Sequence, residues 1–269
     1  MPLTEIAHAK INLALHVRKR RDDGYHELET LYAFADAGDV LTAEHAETLT
    51  LEIVGPFAAG LSAGKDNLVM RAAKALQWGE QGARLVLQKN LPIASGIGGG
   101  SADAAAALRL LSRLWSADTD LLPIAASLGA DVPACVHSQT MWGEGVGDVL
   151  KPFDDDQIAG TFVLLVNPGI ACPTGPVFAA WDGIDRGALD LHNWTYARND
   201  LQPPAVALFS EIAEILTALQ QQEGVRVARM SGSGATCFAL FDSAALRDKA
   251  CAEIFQKHPH YWTLKAALR

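Results

Sequence analysis

Pro92-Ile93-Ala94-Ser95-Gly96-Ile97-Gly98-Gly99-Gly100-Ser101-Ala102 is the stretch on which the reading of this chain turns. Arg84 to Gln88 ahead of it reads as a short strand. Behind it Ala104, Leu108, Leu111 and Trp115 recur at helical spacing. Three glycines in a row are not expected to be there for packing, since glycine loses the most backbone entropy on folding. Placed between a strand and a helix start it makes an anion site, because the first N–H groups of a helix lack partners and its dipole favours negative charge there. A flexible surface loop would explain the glycines but not their position. A dinucleotide fingerprint from Gly96 needs glycine where Ser101 stands, and a P-loop needs a lysine that does not follow Gly100. The Gly60 to Lys65 stretch is one residue short of that motif, and the protein-kinase HRD and DFG signatures are missing.

Working outward, Ile11, Leu13, Leu15 and Val17 alternate with Lys10, Asn12, Ala14 and His16, as in a half-buried strand with Lys10 and Asn12 on one face. Asp22-Asp23-Gly24 reads as a turn into a second alternating run, Leu28 to Phe34, and Leu49 to Val54 as a third. Asn67 to Leu76 is expected to be a helix with Leu68, Ala72 and Ala75 on its inner face. Leu121 to Leu128 is another, stopped by Gly129 and followed by Asp131-Val132-Pro133. Past Asp154-Asp155-Asp156 the expected elements are a buried strand (Thr161 to Val166), an irregular stretch (Trp181 to Leu201), one helix (Ala205 to Gln222), and strands Val225 to Met230 and Cys237 to Phe241 around Ser231-Gly232-Ser233-Gly234. Strands and helices without strict alternation argue for α+β, with domains at 1–153 and 154–269.

Composition bounds the function. The 269 residues are 49% hydrophobic and 20% charged, an ordinary globular balance. A net charge of −9 argues against broad binding of nucleic acid or anionic membrane. The four cysteines form no CxxC pair and no zinc spacing, as in a reduced, cytoplasmic chain. The opening residues lack the pattern of a signal peptide, and Thr161 to Val166 is too short to span a bilayer. Glu144 in its glycine-rich turn has no second ligand, so no metal site is expected.

The quoted stretch resembles the P-x-x-x-G-L-G-[SG]-[SG]-S-[AS] phosphate loop of the GHMP small-molecule kinases. Further segments fall in the same order: Ala9-Lys10-Ile11-Asn12-Leu13, Asp23-Gly24-Tyr25-His26, Asp66-Asn67-Leu68, Leu128-Gly129-Ala130-Asp131-Val132-Pro133, Glu144-Gly145-Val146-Gly147, Pro173-Thr174, Asn199-Asp200-Leu201 and Ser231-Gly232-Ser233-Gly234-Ala235. His8 replaces the usual proline, and Gly175 is an insertion that loosens the placement of Phe178. The resemblance implies a two-domain kinase with its active site in the interdomain cleft. It would be an ATP-dependent enzyme of the non-mevalonate isoprenoid pathway, taking Mg²⁺ with ATP and a small substrate bearing cytidine diphosphate. It makes Asp131 the catalytic base and Lys10 its partner, where spacing alone reads Asp131 as a helix N-cap and Lys10 as an exposed strand lysine. Residues Pro92, Ile93, Ala94, Ser95, Gly96, Ile97, Gly98, Gly99, Gly100, Ser101 and Ala102 would hold ATP, with Asn67 on the adenine side; Ser101 also reads as a helix cap. Tyr25 and Phe178 would sandwich cytosine and His26 would read its polar edge, while Asn12, Tyr32 and Thr174 complete the substrate set. The rivals are a homoserine- or mevalonate-type kinase of the same family and a non-catalytic nucleotide sensor.

Overall fold

In the computed structural model, which describes residues 2–77 and 79–269, the first two alternating runs become long strands, β1 (Leu3–Arg20) and β2 (His26–Ala46). They pair with each other, and β2 continues through Gly38, where a Cβ would run into the Ala7 carbonyl. The chain forms two compact units that interleave in sequence. One comprises Met1–Ala9, Ala37–Ile93 and Gly98–Ser138; the other comprises Lys10–Asp36, Ala94–Ile97 and Gln139–Arg269. Both long strands therefore contribute to each unit.

In the first unit, β3 (Thr50–Val54) pairs in parallel with β4 (Gly82–Gln88), which pairs antiparallel with the distal half of β2. Among the described residues, four helices belong to this unit: α1 (Leu68–Leu76), α2 (Gly99–Leu114), α3 (Leu121–Leu128) and α4 (Val132–His137). The alanine run makes α2 the centre of the group. Ala102 to Leu108 is buried without a break, because α1, α3 and α4 all pack on it and small side chains let them approach. The buried face of α1 is rotated from the expected one: Val69, Met70, Ala72, Ala73 and Leu76 point inward, and Ala75 is exposed.

In the second unit the near half of β2 pairs with β5 (Met141–Glu144), which pairs with β6 (Val149–Pro152). A separate antiparallel sheet has the order β10-β7-β9-β8, from β7 (Phe162–Asn167), β8 (Val225–Met230), β9 (Cys237–Phe241) and β10 (Trp262–Ala267). Its helices are α5 (Thr174–Ala179), α6 (Gln202–Leu208), α7 (Ser210–Gln220) and α8 (Ala244–Lys257). Leu164, Val166, Ile212, Ile215, Leu219 and Cys237 form the heart of its core. The single helix expected over 205–222 is two. Pro203 and Pro204 start α6 early, where no N–H is needed, and Phe209 turns extended (φ −138°, ψ 95°) before α7 begins. The expected irregular stretch holds one short 3₁₀ turn, Leu191–Tyr196.

Candidate active site

The half-buried reading of β1 fails at its most informative residues. Lys10, Asn12 and His16 are 4%, 2% and 2% exposed, because β1 is covered on both faces from Ala9 to Val17. Lys10 is thus no surface lysine: its N–H donates to Ile97 O (3.0 Å), and its Nζ lies 5.0 Å from the centre of the Tyr32 ring. The Asn12 N–H donates to Ser231 Oγ (3.1 Å), which in turn donates to Gly96 O (3.0 Å). The Thr236 N–H donates to Ser95 O (3.0 Å). Residues 95–97 are therefore clamped between β1 and the loop from Ser231 to Thr236.

Glycine is required where the two loops touch. At Gly96 (φ +78°) a Cβ would lie 2.5 Å from Ser231 O and 2.6 Å from Gly234 O; at Gly232 (φ +56°) it would lie 2.8 Å from Gly96 O. Asn199 anchors the second loop, its Nδ2 donating to Met230 O and Gly232 O at 2.8 Å each. The other polar end of Asn12 stays available. Nδ2 donates to Thr30 Oγ1 (2.7 Å), whereas Oδ1 is buried without a hydrogen-bond partner among the described residues.

α2 begins with Gly98 as its left-handed cap (φ +64°, ψ 22°) and no side-chain capping bond. The N–H groups of Gly99, Gly100 and Ser101 thus form a first turn with no intrahelical acceptors, the geometry that binds phosphate. Ser101 is the third residue of the helix, so the reading of it as a cap is overturned. Gly99 and Gly100 are helical rather than conformationally unusual. Packing does account for Gly99, whose Cβ would meet Lys89 Nζ at 3.2 Å, while Gly100 has only Leu68 Cδ1 at 3.5 Å.

Asp131 stands at the N-cap position of α4, as spacing suggests, yet its side chain makes no capping bond. Its carboxylate is not spent on that task. Asn67 does cap: Oδ1 accepts from Val69 N (2.9 Å) and Nδ2 donates to Ser62 O (2.8 Å).

The expected base-recognition residues cluster in part. The His26 ring lies 4.9 Å from Phe178, tilted 37°, and Gly175 has open space around it in α5. Trp181, absent from the sequence reading, completes the group edge-on at 5.6 Å from His26. Burial and then the nearby Arg20 charge hold the His26 pKa below its usual value, favouring the neutral ring. Tyr25 is 63% exposed on its turn, beside this cluster in sequence only. Tyr32 is buried with Oη donating to Gly147 O (3.3 Å), and Thr174 Oγ1 bonds Ser233 Oγ (3.0 Å).

No helix among the described residues is long and apolar enough to cross a membrane. The GHMP kinases N-terminal domain matches residues 67–139 and the GHMP kinases C-terminal domain residues 186–260. A 4-diphosphocytidyl-2-C-methyl-D-erythritol kinase from Novosphingobium aromaticivorans is 53% identical, covering 100% of this chain and 94% of its own. A crystal structure of a 4-(cytidine 5'-diphospho)-2C-methyl-D-erythritol kinase superposes with a TM-score of 0.83 at 34% identity, covering 98% of this chain and 99% of that one. Homoserine kinase from Cytophaga hutchinsonii shares the fold (TM-score 0.74) at 17% identity, covering 99% and 95%. With both domain matches in place and the phosphate-loop geometry intact, the chain belongs to the GHMP kinases, and within them to the family of 4-diphosphocytidyl-2-C-methyl-D-erythritol kinases.

Proposed function

We propose that this chain transfers the γ-phosphoryl group of ATP to the tertiary 2-hydroxyl of 4-diphosphocytidyl-2-C-methyl-D-erythritol, a step of the non-mevalonate isoprenoid pathway. The full-length identity of 53% to a relative named for that substrate carries the reading. The cytoplasm, which supplies ATP, is the compartment it implies.

Phosphoryl transfer asks a protein mainly for positioning and charge neutralisation. The first-turn N–H groups of α2 would hold the phosphates, on a loop whose preceding residues the Ser231 clamp fixes in place. Asp131 would take the proton of the attacking hydroxyl as its oxygen bonds to phosphorus and ADP leaves. Lys10 would balance the charge on that carboxylate. Asn12 Oδ1, an acceptor without a partner, suits a substrate hydroxyl. Tyr25 and Phe178 would stack on cytosine, and a neutral His26 offers one donor and one acceptor to its edge. Mg²⁺ would arrive on the ATP phosphates and neutralise their charge; Ser101, in the first turn of α2, carries a hard oxygen donor suited to it.

Asp131→Asn tests the assignment. It keeps the shape of the side chain while removing the proton acceptor, so kcat should fall by roughly a hundredfold or more with both ligands still bound. Steady-state kinetics beside calorimetric titration of each ligand measures this. Near-normal turnover would return Asp131 to a structural role. Competition by cytidine diphosphate, with no effect of homoserine or mevalonate, would separate this substrate from those of other GHMP kinases.

A further inference from the structure

The two β1 side chains that the proposed reaction uses each rest on a residue of β2. Lys10 Nζ lies over the Tyr32 ring, and Asn12 Nδ2 donates to Thr30 Oγ1 (2.7 Å). Thr30 is fully buried, and its cross-strand neighbour on β5 is Gly143. A Cβ on Gly143 would lie 3.2 Å from Thr30 Cγ2. The methyl therefore fills the space beside that glycine, and the stiff β-branched side chain turns its hydroxyl toward β1. There the hydroxyl meets two groups, Ala14 O and Asn12 Nδ2, each at 2.7 Å.

A threonine hydroxyl has a single proton, and a carbonyl oxygen can only accept. Ala14 O takes that proton, so toward Asn12 the hydroxyl can only accept, and the NH₂ end of the amide must face it. The Asn12 backbone is fixed independently, its N–H donating to Ser231 Oγ. Oδ1 is thereby held away from Thr30, buried and without a partner among the described residues. It is turned toward Gly232, where a Cβ would lie 3.3 Å from it and where glycine leaves it uncovered by a side chain. We propose that Thr30 is a positioning residue, which fixes the Asn12 amide so that the substrate meets an acceptor and never a donor. An asparagine amide has nearly the same shape with its oxygen and nitrogen exchanged, so without such a partner either end could face the substrate. The preset direction selects a hydroxyl, which can donate. An ether or carbonyl oxygen at the same place would leave Oδ1 unpaired. Because the amide is already oriented, binding does not have to order it.

The inference rests on reading Asn12 Oδ1 as the acceptor of a substrate hydroxyl. Thr30→Val keeps the shape of the side chain and removes its hydroxyl. Calorimetric titration of that variant with 4-diphosphocytidyl-2-C-methyl-D-erythritol should show a Kd weakened by about three- to tenfold. The Kd of MgATP should change by less than about twofold, and so should that of cytidine diphosphate, which lacks the methylerythritol hydroxyls. Thr30→Ser keeps the hydroxyl and should stay within about twofold of the wild type for all three. Asn12→Ala should weaken the cytidyl substrate by a similar factor, and adding Thr30→Val to it should weaken it no further, since Thr30 acts through Asn12. If Thr30→Val does not fold, Thr30→Ala set against Thr30→Ser isolates the same hydroxyl. Normal substrate affinity in Thr30→Val, equal losses for substrate and cytidine diphosphate, a serine variant as weak as the valine one, or full additivity with Asn12→Ala would each overturn the inference and leave the reading of Asn12 standing. Normal substrate affinity in Asn12→Ala would overturn both.

Discussion

Segment 95–97 and the Tyr25–His26 turn lie in the same unit and are held by opposite means. The first is fixed through its backbone: Ser95 O, Gly96 O and Ile97 O all accept hydrogen bonds, from Thr236, Ser231 and Lys10. The second closes its turn with two local bonds, Arg21 N–H to Tyr25 O (2.7 Å) and Tyr25 N–H to Asp23 Oδ1 (3.0 Å), and meets the rest of the unit through rings, His26 against Phe178 and Trp181, with Tyr25 standing out from its turn. A phosphate cradle gains from donors that do not reorganise during reaction. A base platform needs flat surfaces and a polar edge, and tolerates adjustment. The contrast says where substitutions should cost stability and where they should cost only selectivity.

Gly96→Ala should be the most damaging change. It puts a Cβ 2.5 Å from Ser231 O at a φ of +78°. Left-handed strain and the clash together should cost about 3 kcal/mol or more. For a chain of this size that is a fall in Tm of roughly 6–12 °C, with ATP binding impaired alongside it. An unchanged Tm would show that the two loops separate at little cost, and the rigid half of the contrast would go. Ser231→Ala should follow. It strands the Asn12 N–H and Gly96 O together, for about 2 kcal/mol. Calorimetric melting ranks the pair.

The rigid region was the more legible of the two because its chemistry is local. A strand, a glycine run and a helix start stand next to one another in sequence, and the α3 limits and both strands flanking Ser231-Gly232-Ser233-Gly234 follow from the same local signals. What could not be read is what depends on cover. Alternation in β1 implies one wet face, and only the fold reveals that both are buried, which turns Lys10 and Asn12 from surface residues into interior ones. Gly99 belongs to a run that packing was not expected to explain, yet a Cβ there would meet Lys89 Nζ at 3.2 Å, from a residue ten positions away. Trp181 lay in a stretch without a period, and no spacing rule ties it to His26 155 residues earlier.

The softer region should respond to pH rather than to melting. With its pKa held below 6.5 by burial and then by Arg20, His26 is neutral at pH 7 and binds protons less readily folded than unfolded. His16 behaves alike, lowered by burial first and then by Arg198. The unfolded chain therefore binds more protons just below pH 6.5, so the stability from both groups is complete above that value and is lost as pH falls through their folded pKa values. The cytidyl substrate should weaken over the same acid range, since a protonated ring keeps no acceptor, by at most tenfold per pH unit. His26→Ala should remove that acid limb of KM and reduce discrimination between cytidyl and uridyl substrates, with Tm nearly unchanged. An acid limb that survives the substitution would place base recognition on other groups.

Ala94 offers the finest test, because it lies at the edge of the rigid segment and is not part of the clamp. It is exposed and holds a φ of +50°, where an L side chain is disfavoured by about 1–2 kcal/mol. Glycine would remove that strain but add freedom to the unfolded chain, returning about 0.4–1 kcal/mol of the gain. Ala94→Gly should thus raise Tm by roughly 0–6 °C. The sign of its effect on KM for ATP is what matters. If the Ser95, Gly96 and Ile97 carbonyl contacts fix the loop, KM should stay the same, because those bonds do not depend on residue 94. A rise in KM with Tm unchanged or higher would mean that the strained alanine itself stiffens the approach to the glycines, and the rigidity would begin one residue before the clamp.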